Sequence, residues 1–95
     1  DLEIEVEADT LEEANEAAEA GADYILLDNM SNAEVKEAIK IIASRSLVEV
    51  SGGITIDRIA SLSAIEGVDF ISVGALTHSV KSTDISLDIQ VDTNA

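Results

Sequence analysis

Apolar and polar residues alternate, then recur at helical spacing, then alternate again along this chain. Leu2-Glu3-Ile4-Glu5-Val6-Glu7 has the period of two that marks a strand. Thr10 and Glu13 stand three apart as in a capping box, and Leu11, Ala14 and Ala18 share one helical face that Gly21 ends. Tyr24–Asp28 predicts a second strand. Ser31 with Glu34 forms a second capping box, and Val35, Ala38, Ile39 and Ile42 mark the next helix. Leu47–Ser51 reads as a third strand. Thr55 caps a third helix carrying Ile56, Ile59, Ala60 and Leu62, and Phe70–Gly74 reads as a fourth strand. The helical signal then fades. Ile85–Val91 alternates again and predicts an extended tail packed across the body of the fold.

Strand starts recur about every 22 or 23 residues, the pitch of a short βα unit. Gly21–Asp28 is echoed by Gly67–Gly74 at an offset of 46 residues, two such units. Parallel strands with crossover helices can form an open doubly wound sheet or a closed barrel. Alternation separates Glu3, Glu5 and Glu7 from Ile4 and Val6, and Glu49 and Ser51 from Val48 and Val50. A sheet covered by helices on both faces would bury the glutamates without partners. A barrel turns them into its lumen instead. A whole βα barrel takes about 250 residues. The expected fold is therefore α/β: one partial domain over residues 1–95, half of a TIM-like βα barrel, with about four βα units, parallel strands and an extended C-terminal tail. The chain opens on Asp1, directly in an alternating run, and this start reads as a cut.

Charge narrows the partners. Twenty acids against five bases give a formal charge of −15, which repels nucleic acid. A salt-adapted source, a generally acidic surface, or a site whose basic half lies elsewhere would each produce this imbalance. The absence of cysteine removes disulfides and thiolate metal sites and suits a reducing cytoplasm. No apolar run approaches the roughly 20 residues that cross a bilayer, and no signal-peptide pattern is visible.

The strands end on residues suited to chemistry. Glu7, Asp28-Asn29, Ser51-Gly52-Gly53 and Gly74 fall at the C-terminal rim, where βα barrels keep their sites. Gly-rich loops in two successive units let backbone N–H groups approach a phosphate, although one Gly-Gly alone is usually a turn. Glu7 and Asp28, ending neighbouring strands, can bind Mg²⁺ or stabilise positive charge on a sugar carbon. The plainer alternative makes Asp28 a loop residue and Glu7 a solvated strand end.

Five ordered blocks carry a resemblance over nearly the whole chain: Glu5-Val6-Glu7, Leu27-Asp28-Asn29-Met30, Ser51-Gly52-Gly53-Ile54, Ser72-Val73-Gly74-Ala75-Leu76-Thr77-His78-Ser79 and Asp84-Ile85-Ser86-Leu87-Asp88. Together they resemble the C-terminal part of the quinolinate phosphoribosyltransferase barrel. The resemblance implies transfer of a phosphoribosyl group from phosphoribosyl pyrophosphate to quinolinate, giving nicotinate mononucleotide, pyrophosphate and CO₂ in NAD biosynthesis. It implies Glu7 and Asp28 as the catalytic, Mg²⁺-binding acids. It places Ser51, Gly52, Gly53, Gly74, Asn29 and His78 at substrate or phosphate, with His78 more readily structural or rim-lining than catalytic. Glu5 suits a lumen ion pair. A cytoplasmic homo-oligomer is also implied.

The family's quinolinate-binding cations have no counterpart here. Lys36, Lys40, Arg45, Arg58 and Lys81 fall on helices or loops, and most read as solvated charge. An acidic chain does not attract two polyanionic substrates, so the basic half of the site, an N-terminal half of the enzyme, is expected elsewhere. The chain alone is expected to be inactive. Two other readings remain: a half-barrel folding unit without activity, prone to pair through open sheet edges, and a non-catalytic phosphate-binding module.

Overall fold

The computed structural model describes residues 3–74, 76–81 and 84–91. Its elements are β1 (Glu5–Ala8), α1 (Leu11–Glu19), β2 (Tyr24–Asp28), α2 (Asn32–Ile42), β3 (Leu47–Ser51), α3 (Ile56–Ser63), β4 (Phe70–Val73), β5 (Leu76–Lys81) and β6 (Asp84–Val91). They build one six-stranded sheet in the order β1-β2-β3-β4-β5-β6. The first four strands are parallel, and β5 and β6 run antiparallel. The sheet is not closed. This is the α/β half-barrel expected, with three complete βα units. Leu2 lies outside the described residues.

Local chemistry sets the helix starts. Thr10 Oγ1 accepts the Glu13 N–H at 3.1 Å, and the Glu13 carboxylate accepts the N–H groups of Asp9 and Thr10. Ser31 and Glu34 repeat this reciprocal box, and Thr55 caps α3 through the Arg58 N–H. These contacts satisfy amides that the first turn leaves without partners. At its other end α2 stops without glycine. Ala43 and Ser44 both take positive φ, 51° and 63°. Arg45 reaches back to cover the last carbonyls, Nη2 to Ile41 O at 2.7 Å and Nε to Ile42 O at 2.9 Å.

The internal echo has a structural meaning. Asp23 Oδ2 accepts the Ile4 N–H at 2.7 Å, and Asp69 Oδ2 accepts the Val48 N–H at 2.9 Å. The amides of the same aspartates donate to Ile4 O and Val48 O. Each repeat thus clips the start of one strand to its neighbour with the same residue.

Alternation sorts the side chains as the pattern predicts. Ala8, Ile25, Leu27, Val48, Val50 and Ile71 are buried on one face, with Ala14, Ala17, Val35, Ala38, Ile42, Ile59 and Leu62 from the helices completing the core. Glu5, Glu7, Asp28, Glu49 and Ser51 belong to the opposite, concave face.

Three expectations are corrected. No helix follows β4 within the described residues; Val73 pairs with Leu76, and Gly74 at φ 59° opens a hairpin into β5. Residues 84–91 are a strand added to this sheet, not a tail lying across it. In α3, Ile59 and Leu62 are buried, whereas Ile56 is 82% exposed and Ala60 also faces outward.

Candidate active site

Because β1–β4 are parallel, their C-terminal ends meet at one mouth, and Glu7, Asp28, Ser51-Gly52-Gly53 and Gly74 all stand there. The register explains a further member. Glu7 pairs with Leu26 and Ala8 with Leu27, and Asp9, the first residue after β1, lies near Asp28. Glu7 projects to the concave side, where Asp28 also stands. Carboxylate oxygens of the three lie within 4.8 Å of one another. Asp9 escaped the sequence reading because its proximity is cross-strand. Its place two residues after Glu7, in phase with the alternation, was the available signal.

The β3–α3 loop closes against this acidic group. Ser51 Oγ donates to Asp28 Oδ1 at 3.3 Å, and the Asn29 N–H donates to Ser51 O at 3.3 Å. Asn29 (φ 58°), Gly52 (φ 91°) and Gly53 (φ 59°) are all left-handed, a conformation asparagine tolerates and glycine favours. A Cβ on Gly52 would collide with Asp28 Oδ1 and come within 2.7 Å of Asn29 Oδ1 and 2.8 Å of the Asn29 amide nitrogen. Only glycine lets this backbone approach Asp28 so closely. Gly53 is open, with nothing near the position of an added side chain. The oxygen-only donors of Glu7, Asp9 and Asp28 fit a hard divalent cation such as Mg²⁺.

Two sequence-level assignments change. His78 pairs with Ile71 on the packed face and is only 4% exposed. It therefore sits on the face away from Glu7 and Asp28, as suits the structural alternative for this histidine. Its Nδ1 is buried and has no hydrogen-bond partner among the described residues. Arg58, read with the surface cations, is half-buried instead. It donates through Nη2 to Met30 O and through Nε to Asn32 Oδ1 at 2.9 Å, tying α3 to the loop after β2. This long-range contact left no local pattern. Lys36, Lys40, Arg45 and Arg58 lie on α2, on α3 or in the loop before β3.

Residues 1–88 match the family model described as quinolinate phosphoribosyl transferase, C-terminal domain. The chain belongs to this family. Among relatives of the quinolinate phosphoribosyl transferase domain, it is 52% identical over 93 residues to the probable carboxylating nicotinate-nucleotide pyrophosphorylase of Methanocaldococcus jannaschii, covering 90% of this chain and 32% of that protein. It is 45% identical to the corresponding Bacillus subtilis protein, covering 90% and 29%. The crystal structure of nicotinate-nucleotide pyrophosphorylase from Ehrlichia chaffeensis superposes with a TM-score of 0.70 at 37% identity, over 92% of this chain and 31% of that one. The chain spans about a third of the length of these relatives. Among the described residues no helix is long and apolar enough to cross a membrane.

Proposed function

We propose that this domain supplies the acidic, phosphate-facing half of a carboxylating phosphoribosyltransferase site. The reaction joins quinolinate to phosphoribosyl pyrophosphate and yields nicotinate mononucleotide, pyrophosphate and CO₂, a step of NAD biosynthesis. The ring nitrogen bonds to ribose C1 as the C1–O bond to pyrophosphate breaks. Departure of a ring carboxylate as CO₂ leaves an electron pair that a proton takes up. The observation that carries the reading is the convergence of Glu7, Asp9 and Asp28 on the Ser51-Gly52-Gly53 loop at one mouth.

Each part has a task. Glu7 and Asp28 face positive charge that develops on the ribose as the C1–O bond lengthens, and fixed carboxylates stabilise it without reorganisation. Ser51 and the glycine loop hold Asp28 in place and offer backbone N–H groups to phosphate. Glu7, Asp28 and Asp9 would hold Mg²⁺, which would neutralise charge on the pyrophosphate. The cationic pocket for quinolinate comes from outside the chain, from the N-terminal half of the enzyme. The complete protein is read as a cytoplasmic homo-oligomer.

The isolated 95-residue chain is expected to form no nicotinate mononucleotide. In the intact enzyme carrying this domain, Asp28→Asn is expected to lower kcat/KM by about 100-fold or more. Turnover by the chain alone, or unaltered kcat/KM in that variant, overturns the proposal.

A further inference from the structure

The third βα unit departs from the first two at one position. The third residue after the helix cap is Glu13 in α1 and Glu34 in α2, and each closes a capping box. In α3 that position holds Arg58, three after Thr55. A cation in the first turn opposes the helix dipole, so Arg58 does not serve the stability of α3. Its side chain crosses instead to the preceding unit and enters a closed ring of hydrogen bonds. Nη2 donates to Met30 O, and Nε donates to Asn32 Oδ1 at 2.9 Å. Asn32 Nδ2 donates to Ser61 Oγ at 3.0 Å, and the Ser61 hydroxyl donates to Arg58 O at 2.9 Å. The planar guanidinium reaches two acceptors at once from a fixed fork, which an ammonium does not. Both acceptors are neutral, so the fork ties backbone and amide rather than pairing a charge.

The ring bears on the mouth through a short stretch of backbone. Met30 is fixed twice, by its side chain in the core and by its carbonyl on Arg58. Asp28 lies two residues before it, with left-handed Asn29 between them. A non-glycine residue at positive φ persists only where its surroundings hold it there. Ser51 O holds the Asn29 N–H on one side, and Arg58 holds Met30 on the other. We propose that Arg58 is a positioning residue: by anchoring Met30 it fixes the turn through Asn29 and so aims the Asp28 carboxylate at the reacting sugar. This role rests on the transferase reading of the mouth and adds to it a residue from the helix behind the loop.

Arg58→Gln separates positioning from stability. Glutamine at this position completes a capping box with Thr55, so α3 keeps its start while the ring is lost. In the intact enzyme carrying this domain, thermal unfolding should be unaltered or shifted upward. The kcat should nevertheless fall about tenfold, with the KM for quinolinate changed by less than about twofold. In an Asp28→Asn background the same change should lower kcat by less than about twofold, because the carboxylate it aims is already gone. Arg58→Lys, which keeps the charge without the fork, should lose about fivefold. Asn32→Ala opens the ring at another point and should lose about threefold, again only where Asp28 is present. If Arg58→Gln loses its fold by circular dichroism, Asn32→Ala in the two backgrounds decides alone. Unaltered kcat in Arg58→Gln, equal losses in both backgrounds, or full activity in Arg58→Lys overturns the positioning role. Unaltered kcat in Asp28→Asn alone defeats the transferase reading instead.

Discussion

The two faces of the sheet contrast in how completely the chain satisfies them. On the convex face, aliphatic strand residues meet α1, α2 and α3, and Ile25, Leu27, Val50 and Ile71 are fully covered. On the concave face, Glu5, Glu7, Asp28 and Glu49 stand with hydroxyls, glycines and aromatic rings, and the one ion pair among the described residues, Lys40–Glu37, lies elsewhere on α2. The first face accounts for folding. The second collects like charges that folding alone would disperse.

The comparison can be broken by substitution on either face. The largest effect belongs to the core: Ile25→Ala should cost about 2–5 kcal/mol in denaturant-induced unfolding, because it leaves a cavity under the helices. A concave-face change, Glu5→Gln, should instead be neutral or slightly stabilising in the same experiment. Gly52→Ala comes next, costing about 1–3 kcal/mol, since a Cβ must be forced toward Asp28 in left-handed backbone. It should also weaken Mg²⁺ binding measured by calorimetry. Asp9→Asn should weaken that binding less than Asp28→Asn; an equal loss would show that the three carboxylates act as one unit.

Two smaller effects depend on pH. The hydrogen bonds from the Ser31 backbone and side chain hold the Glu34 carboxyl below its usual range. A lowered folded pKa means that this stabilisation is present above the unfolded carboxylate pKa and is lost as pH falls through the folded value. Thermal melts of Glu34→Gln and the unaltered chain should therefore converge in acid. Tyr24 has the opposite sign. Its raised pKa gives stability that is full below the unfolded phenol pKa and is lost as pH rises through the folded value. Tyrosinate absorbance of this one residue should titrate at lower pH in Glu3→Gln.

Local signals made most of the fold legible. The capping residues Thr10, Ser31 and Thr55, and the alternation in β1 and β3, act between near neighbours and are visible as spacing. Strand β5 was hidden because Thr77-His78-Ser79 offers no apolar alternation; His78 itself occupies the buried position opposite Ile71. Glu7, Asp28 and the Ser51–Gly53 loop were legible as strand endings. Asp9 and Arg58 were not, since one is placed by register between strands and the other by packing of α3 against the loop after β2. Ile56 misled the α3 reading because an apolar residue in the first turn need not share the buried stripe.

The duplicated clip of Asp23 on Ile4 and Asp69 on Val48 makes alignment errors local. Two strand pairs are indexed separately, each by a carboxylate belonging to the later strand of its own pair or the turn before it. Loss of one index leaves the carboxylate contact at the other pair in place.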